Sequence, residues 1–142
     1  MNKLILLTFV TLSIFSFNLN ANPTIEKGFR AYQDQDYIVA LTNLRPLAEE
    51  GDAYAQYVLG VMYAMGQGVA RNDDIAIKLY RKSADQGHAD AQFAMGKMYK
   101  NARAVTRNYT TAIKWFRKAK AQEHPKATVA LEALCEQRSW LC

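Results

Sequence analysis

From residue 53 onward, apolar and small residues recur at helical spacing. Ala55, Leu59, Gly60 and Tyr63 form one such series; after a Gly66-Gln67-Gly68 break, Ile75, Ala76, Leu79 and Tyr80 form a second. The pattern then repeats. Residues 53–88 align without gaps on residues 89–124, a period of 36, and 16 of the paired positions are identical, among them Ala55/Ala91, Gln56/Gln92, Gly60/Gly96, Tyr63/Tyr99, Asn72/Asn108, Lys78/Lys114 and His88/His124. A unit of helix, loop and helix cannot bury its apolar faces alone, so the period predicts stacked units sharing one core. Residues 24–50 hold a related pair, Gly28-Phe29-Arg30-Ala31-Tyr32 and Tyr37 through Glu50, joined by the short Gln33–Asp36 turn. Residues 125–137 repeat only the first helix, with Glu132 in place of glycine and Cys135 in place of tyrosine, as suits a terminal cap. The chain thus divides into 22–52, 53–88, 89–124 and 125–142. The expected fold is all-α: a short right-handed α-solenoid of helix-turn-helix repeats, with about seven helices and no strands.

Boundary residues agree with this division. Asn72 and Asn108 precede the second helices of the two full units, and Asp52, His88 and His124 precede first helices, all at positions where a side-chain acceptor can cap free N–H groups. Pro125 stands at a first helical position, where its missing N–H is not needed, and Gly87 suits a left-handed helix exit. Pro46 lies inside a predicted helix and is expected to kink it. The second full unit has Ala102, Ala104 and Glu123 where the first has Gly66, Gly68 and Gly87. If those glycines are left-handed, the replacements are strained and the loop at 102–104 is expected to be rebuilt or mobile.

At the N-terminus, Lys3 precedes an apolar run from Leu4 to Phe17 and a polar stretch ending at Ala21. This reads as a secretory signal peptide over residues 1–21, and the run is too short to span a bilayer as a helix. The expected protein is periplasmic or secreted, with no transmembrane segment in its mature chain. Export favours a disulfide between its two cysteines, Cys135 and Cys142, which requires the last helix to end between them. The 142 residues are half hydrophobic and 22% charged, which excludes a disordered or collagen-like chain. Charge is uneven: 22–52 carries −3, 53–88 carries +1, 89–124 carries +6 and 125–142 is neutral.

The segment from Ala53-Tyr54-Ala55-Gln56 through Gly60 and Tyr63, Gly66-Gln67-Gly68-Val69, Ala76-Ile77-Lys78-Leu79-Tyr80-Arg81-Lys82-Ser83-Ala84 and Gln86-Gly87-His88 closely resembles the Sel-1-like repeat family, a tetratricopeptide-related group. The resemblance implies a protein-protein interaction adaptor or scaffold, in this case in the cell envelope, with an immunity protein against a secreted toxin as a narrower form. It also brings in an alternative, a β-lactamase-like or other hydrolase of the cysteine-rich exported branch. Those relatives carry a cysteine pair in each repeat, whereas this chain has one pair only.

On the first helix of the first full unit, Tyr54, Val58, Val61, Met62 and Met65 form a second apolar stripe, and their counterparts Asp90, Ala94, Lys97, Met98 and Asn101 show that the repeat does not require it. First helices line the groove in such stacks, so these five residues are the candidate partner site for another protein. The competing expectation is that they pack on Phe29 and Tyr32. A basic patch of Arg103, Arg107, Lys114, Arg117 and Lys118 either steers an acidic partner or anionic envelope polymer or is a solvated helix face. No nucleic-acid-binding motif is present, and no spacing of His, Cys, Asp or Glu calls for a metal or cofactor. His88 and His124 are explained by the repeat, and neither Ser83 nor Ser139 has a lysine three residues on, so no catalytic residues are assigned.

Overall fold

The computed structural model describes residues 23–142; the expected signal peptide, 1–21, lies outside the described residues. Seven α-helices follow one another: α1 Pro23–Gln33, α2 Tyr37–Glu49, α3 Ala53–Met65, α4 Asp73–Asp85, α5 Ala89–Asn101, α6 Tyr109–Lys120 and α7 Pro125–Gln137. A 3-10 turn, Ser139–Leu141, closes the chain, and the described residues contain no strand. Each helix packs on its neighbours in sequence, so the pairs α1–α2, α3–α4 and α5–α6 stack in order and α7 ends the row. This is an α-solenoid of helical repeats.

Local chemistry sets the helix starts. Asp36, Asp52, Asn72, His88, Asn108 and His124 each accept a hydrogen bond from the backbone N–H three residues on, satisfying a donor that has no partner within the helix. The helix α2 runs unbroken through the exposed Pro46, which leaves the Thr42 carbonyl without its usual donor. Gly66, Gly68 and Gly87 have φ of +71°, +69° and +95°, and their replacements Ala102, Ala104 and Glu123 keep the left-handed region at +56°, +55° and +59°. The second unit therefore retains the loop geometry of the first at a conformational cost, in place of the rebuilt loop expected above.

Repeat identity becomes close packing at one glycine per pair. A Cβ on Gly28 would lie 2.8 Å from Leu44, one on Gly60 would lie 2.7 Å from the Tyr80 ring, and one on Gly96 would run into the Phe116 ring. These glycines let the first helix of each pair lie directly on the large side chain of the second. Glu132, at the same register in α7, is exposed, and among the described residues no second helix packs over it.

Polar side chains join one unit to the next. Gln56 donates to the Ala48 carbonyl at 3.1 Å, while Gln86 donates to the Gly51 carbonyl and the Gln56 side chain, both at 2.9 Å. Gln92 and Gln122 reproduce the same three bonds one repeat later, to Ala84, Gly87 and Gln92. A second series ties each loop to the preceding unit. Tyr37, Asp73 and Tyr109 occupy one repeat position, the first residue of a second helix. Gln67 donates to the Tyr37 hydroxyl at 3.2 Å, Arg103 pairs with the Asp73 carboxylate, and Arg138 donates to the Tyr109 hydroxyl at 3.0 Å. The last of these struts comes from the C-terminal turn, where Cys135 and Cys142 are bonded with Cα atoms 5.7 Å apart. As the spacing of these cysteines requires, α7 ends between them.

A candidate partner groove

The first helices of the last three units leave a groove between them. Tyr57, Val61 and Met65 of α3, Phe93, Ala94 and Lys97 of α5, and Pro125 and Lys126 of α7 line a concavity of about 470 Å³. Its floor is positioned by capping chemistry. His88 caps α5 through Nδ1 and stacks on Tyr57, ring centroids 5.0 Å apart; its counterpart His124 caps α7 and stacks on Phe93 at 4.6 Å. Because Nδ1 of His124 accepts from the Ala127 N–H, its Nε2 carries the proton and donates to Asp90 at 3.1 Å. Burial pushes the His88 imidazole below its usual range, which keeps it neutral and able to accept from Ala91. Burial, with the nearby Asp90 carboxylate, pushes the Tyr57 hydroxyl up to about 12, so it stays a neutral donor in the groove wall.

The expected partner residues separate. Val61 and Met65 line the groove, and Met65 is 65% exposed. Val58 and Met62, only 2% and 0% exposed, belong to the core shared with α1 and α2, so their place in the candidate site is corrected. Tyr54 meets Phe29 edge to ring at 5.4 Å and lies outside the groove lining, as the packing expectation had it. The stripe missed Tyr57, Phe93, Ala94, Lys97, Pro125 and Lys126. The signal for the first two was the repeat: Tyr57 and Phe93 are one period apart, and each is one helical turn before a groove residue, Val61 and Lys97.

The basic patch also divides. Arg107, Lys114, Arg117 and Lys118 are exposed, whereas Arg103 is partly buried at the groove wall, its guanidinium bonded to Asp73 and to the Ala64 carbonyl. Arg103 is a strut between units, and its removal from the free patch is a second correction. Hydrogen bonds from Arg103 and then Arg71 hold the Asp73 carboxyl down at about 2. A carboxyl lowered on folding adds stability that is full above its unfolded value of 3.8 and is lost as pH falls toward 2. Asp73→Asn is therefore expected to cost about 1 kcal/mol at pH 7, solvent screening reducing the worth of a pair this open, and to flatten the decline in melting temperature between pH 4 and 2, measured by thermal unfolding across pH; an unchanged acid limb would contradict this.

Nothing in the described residues forms a group of three or more His, Cys, Asp or Glu able to hold a metal. Ser83 is fully buried and donates to the Ala53 carbonyl at 2.6 Å, which leaves it no role as a nucleophile. No helix among the described residues is long and apolar enough to cross a membrane.

A family model for the Sel1 repeat matches residues 53–88 and 89–124. The chain is similar to the crystal structure of a Sel1 repeat protein from Oxalobacter formigenes, with 35% identity and a TM-score of 0.73, over 78% of this chain and 45% of that one. It is also similar to a protective antigen present in uropathogenic Escherichia coli strains that displays an SLR fold, with 31% identity and a TM-score of 0.73, over 80% of this chain and 25% of that one. The chain thus spans less than half the length of either solved relative. No curated protein matches it. Its two matched units, the bonds they repeat and these structural likenesses place the chain in the Sel1 repeat family, whose members are protein-interaction scaffolds.

Proposed function

We propose that the chain is an exported adaptor of the cell envelope that holds another protein in the groove between α3, α5 and α7. The observation that carries this reading is the set of apolar side chains, Val61, Met65, Phe93 and Ala94, lining a groove that no element of the described chain fills. Val61 and Met65 are dispensable to the repeat, since the next unit has Lys97 and Asn101 there. A helical or extended segment with apolar side chains fits this floor, and Lys97 and Lys126 at the rim favour one that also carries a carboxylate. The apolar run at 4–17 and the Cys135–Cys142 bond support export.

The test is affinity capture of the tagged protein from its own envelope, beside a Val61→Glu, Met65→Glu variant. The expected result is one stoichiometric partner, lost in the variant while the melting temperature falls by no more than about 5 °C, since Met65 is exposed and Val61 is half-buried at a position where the next unit carries Lys97. A captured secreted toxin would make the adaptor an immunity protein. A partner retained by the variant would overturn the groove as its site.

A further inference from the structure

On α4, Lys78, Arg81 and Lys82 are exposed, and one period later α6 presents Lys114, Arg117 and Lys118, also exposed. The row begins with Arg45, one period before Arg81, on the exposed side of α2. These helices lie on the side of the stack away from the groove: α2 and α4 flank a shallow depression floored by Leu59 and Tyr63 of α3. Among the described residues the ion pairs are Arg30–Glu26, Arg71–Asp73 and Arg103–Asp73, so none of this row is paired with a carboxylate. The acids of α4 stand at its ends, as Asp73, Asp74 and Asp85, and α6 has none; on α2, Glu49 lines the depression with Arg45 and Lys82, so the positive charge is concentrated on α4 and α6. Two of the cations have neutral contacts: Arg81 donates to the Tyr99 hydroxyl at 2.9 Å, and the Lys118 ammonium lies 4.4 Å from the Trp115 ring centre.

Helix pairing explains only part of the row. On α4, Asp74 stands one turn before Lys78 and Asp85 one turn after Arg81, which favours those cations, but on α6 Lys114 and Lys118 are like charges one turn apart with no acid on the helix. The helix dipole welcomes cations in the last turn, which covers Lys82, Arg117 and Lys118 but neither Lys78 nor Lys114. Apolar side chains sit among these charges: Ile75 and Leu79 share a shallow depression with Lys78, Arg81 and Lys82, and Ile38 on α2 is 67% exposed. A compact ligand would meet two or three of these cations. An extended anionic plane meets all of them, with the apolar side chains at the level of its headgroup boundary.

We propose that the outer face of α2, α4 and α6 docks on the anionic surface of a phospholipid membrane, leaving the groove open on the other side. This goes beyond the groove reading and does not depend on it. The probe is co-sedimentation of residues 22–142, which contain the whole described fold, with phosphatidylglycerol–phosphatidylcholine vesicles and with pure phosphatidylcholine vesicles. Binding is expected to the anionic vesicles only and to fall as salt rises. Arg81→Gln, Lys82→Gln, Arg117→Gln, Lys118→Gln is expected to lower the partition coefficient more than about tenfold. An equal charge change elsewhere, Lys27→Gln, Arg30→Gln, Lys100→Gln, Arg107→Gln, is expected to change it by less than about threefold. Absence of wild-type binding to the anionic vesicles overturns the proposal. So does an equal loss in the second variant, which would reduce the effect to net charge, or a stronger interaction with soluble polyglutamate than with the vesicles, which would make the face a site for acidic protein.

Discussion

Gly96→Ala is expected to destabilise the protein by about 2 kcal/mol, lowering its melting temperature by roughly 8 °C. In an exposed helix the same change is stabilising, by about 0.5–1 kcal/mol, because alanine restricts the unfolded chain and favours helix. The sign reverses here because the new Cβ would overlap the Phe116 ring, and Phe116 is completely buried among Ala112, Ile113, Leu131 and Leu134, so it cannot yield without displacing that cluster. The helices α5 and α6 would have to separate along a contact that carries the core of the second unit. Glu132→Ala at the same register in α7 is the internal control, expected to stay within about 0.5 kcal/mol, since Glu132 faces solvent. Thermal unfolding followed by circular dichroism reads both, and a Gly96→Ala protein as stable as wild type would mean that the glycine position does not set the spacing of the helix pair.

Opening the Cys135–Cys142 bond is expected to cost about 2.5 kcal/mol, the loop-closure entropy of an eight-residue ring, and to lower the melting temperature by roughly 10 °C. The loss should be localised before it is global. Within this ring, Arg138 reaches Tyr109, its guanidinium carbon 4.0 Å from the ring centre and one nitrogen 3.0 Å from the hydroxyl. That contact takes the place that Gln67 and Arg103 fill for the earlier units, so the bonded turn substitutes for the loop of a further repeat. Cys135→Ala, Cys142→Ala, or reduction of the wild type, should therefore raise amide exchange first in residues 134–142 and at the start of α6. An unchanged melting temperature under reductant would show that the stack ends stably without its staple.

Architecture was legible in the sequence because the repeat reports it twice: a glycine, a capping residue or an aromatic that recurs 36 positions on has the same structural task. The caps at Asp52, Asn72, His88, Asn108 and His124 needed only that logic, and the geometry agrees at each. The groove was less legible because a helix with apolar residues on most sides does not announce which side is free. The series 54, 58, 61, 62 and 65 starts on the face that meets α1 and crosses into the core at Val58 and Met62, whereas 57, 61 and 65 follow the open face. Charge misled at Arg103 for another reason. A basic residue in a loop looks free until the fold brings Asp73 beside it, and the two are 30 residues apart. The loop at 102–104 failed in the opposite sense: local preference favoured rebuilding, and the bond from the Arg103 N–H to the Met98 carbonyl, which matches Gln67 to Met62, kept the left-handed turn in place.

The most direct measurement places a photo-reactive amino acid at single positions in the native envelope: Met65 and Lys97 at the groove, and Val129, an exposed apolar residue of α7 outside the groove lining. One cross-linked partner of the same mass from positions 65 and 97, and none from 129, is the predicted result. A partner cross-linked from 129 but from neither groove position would contradict the assignment and move the binding surface to the end of the stack.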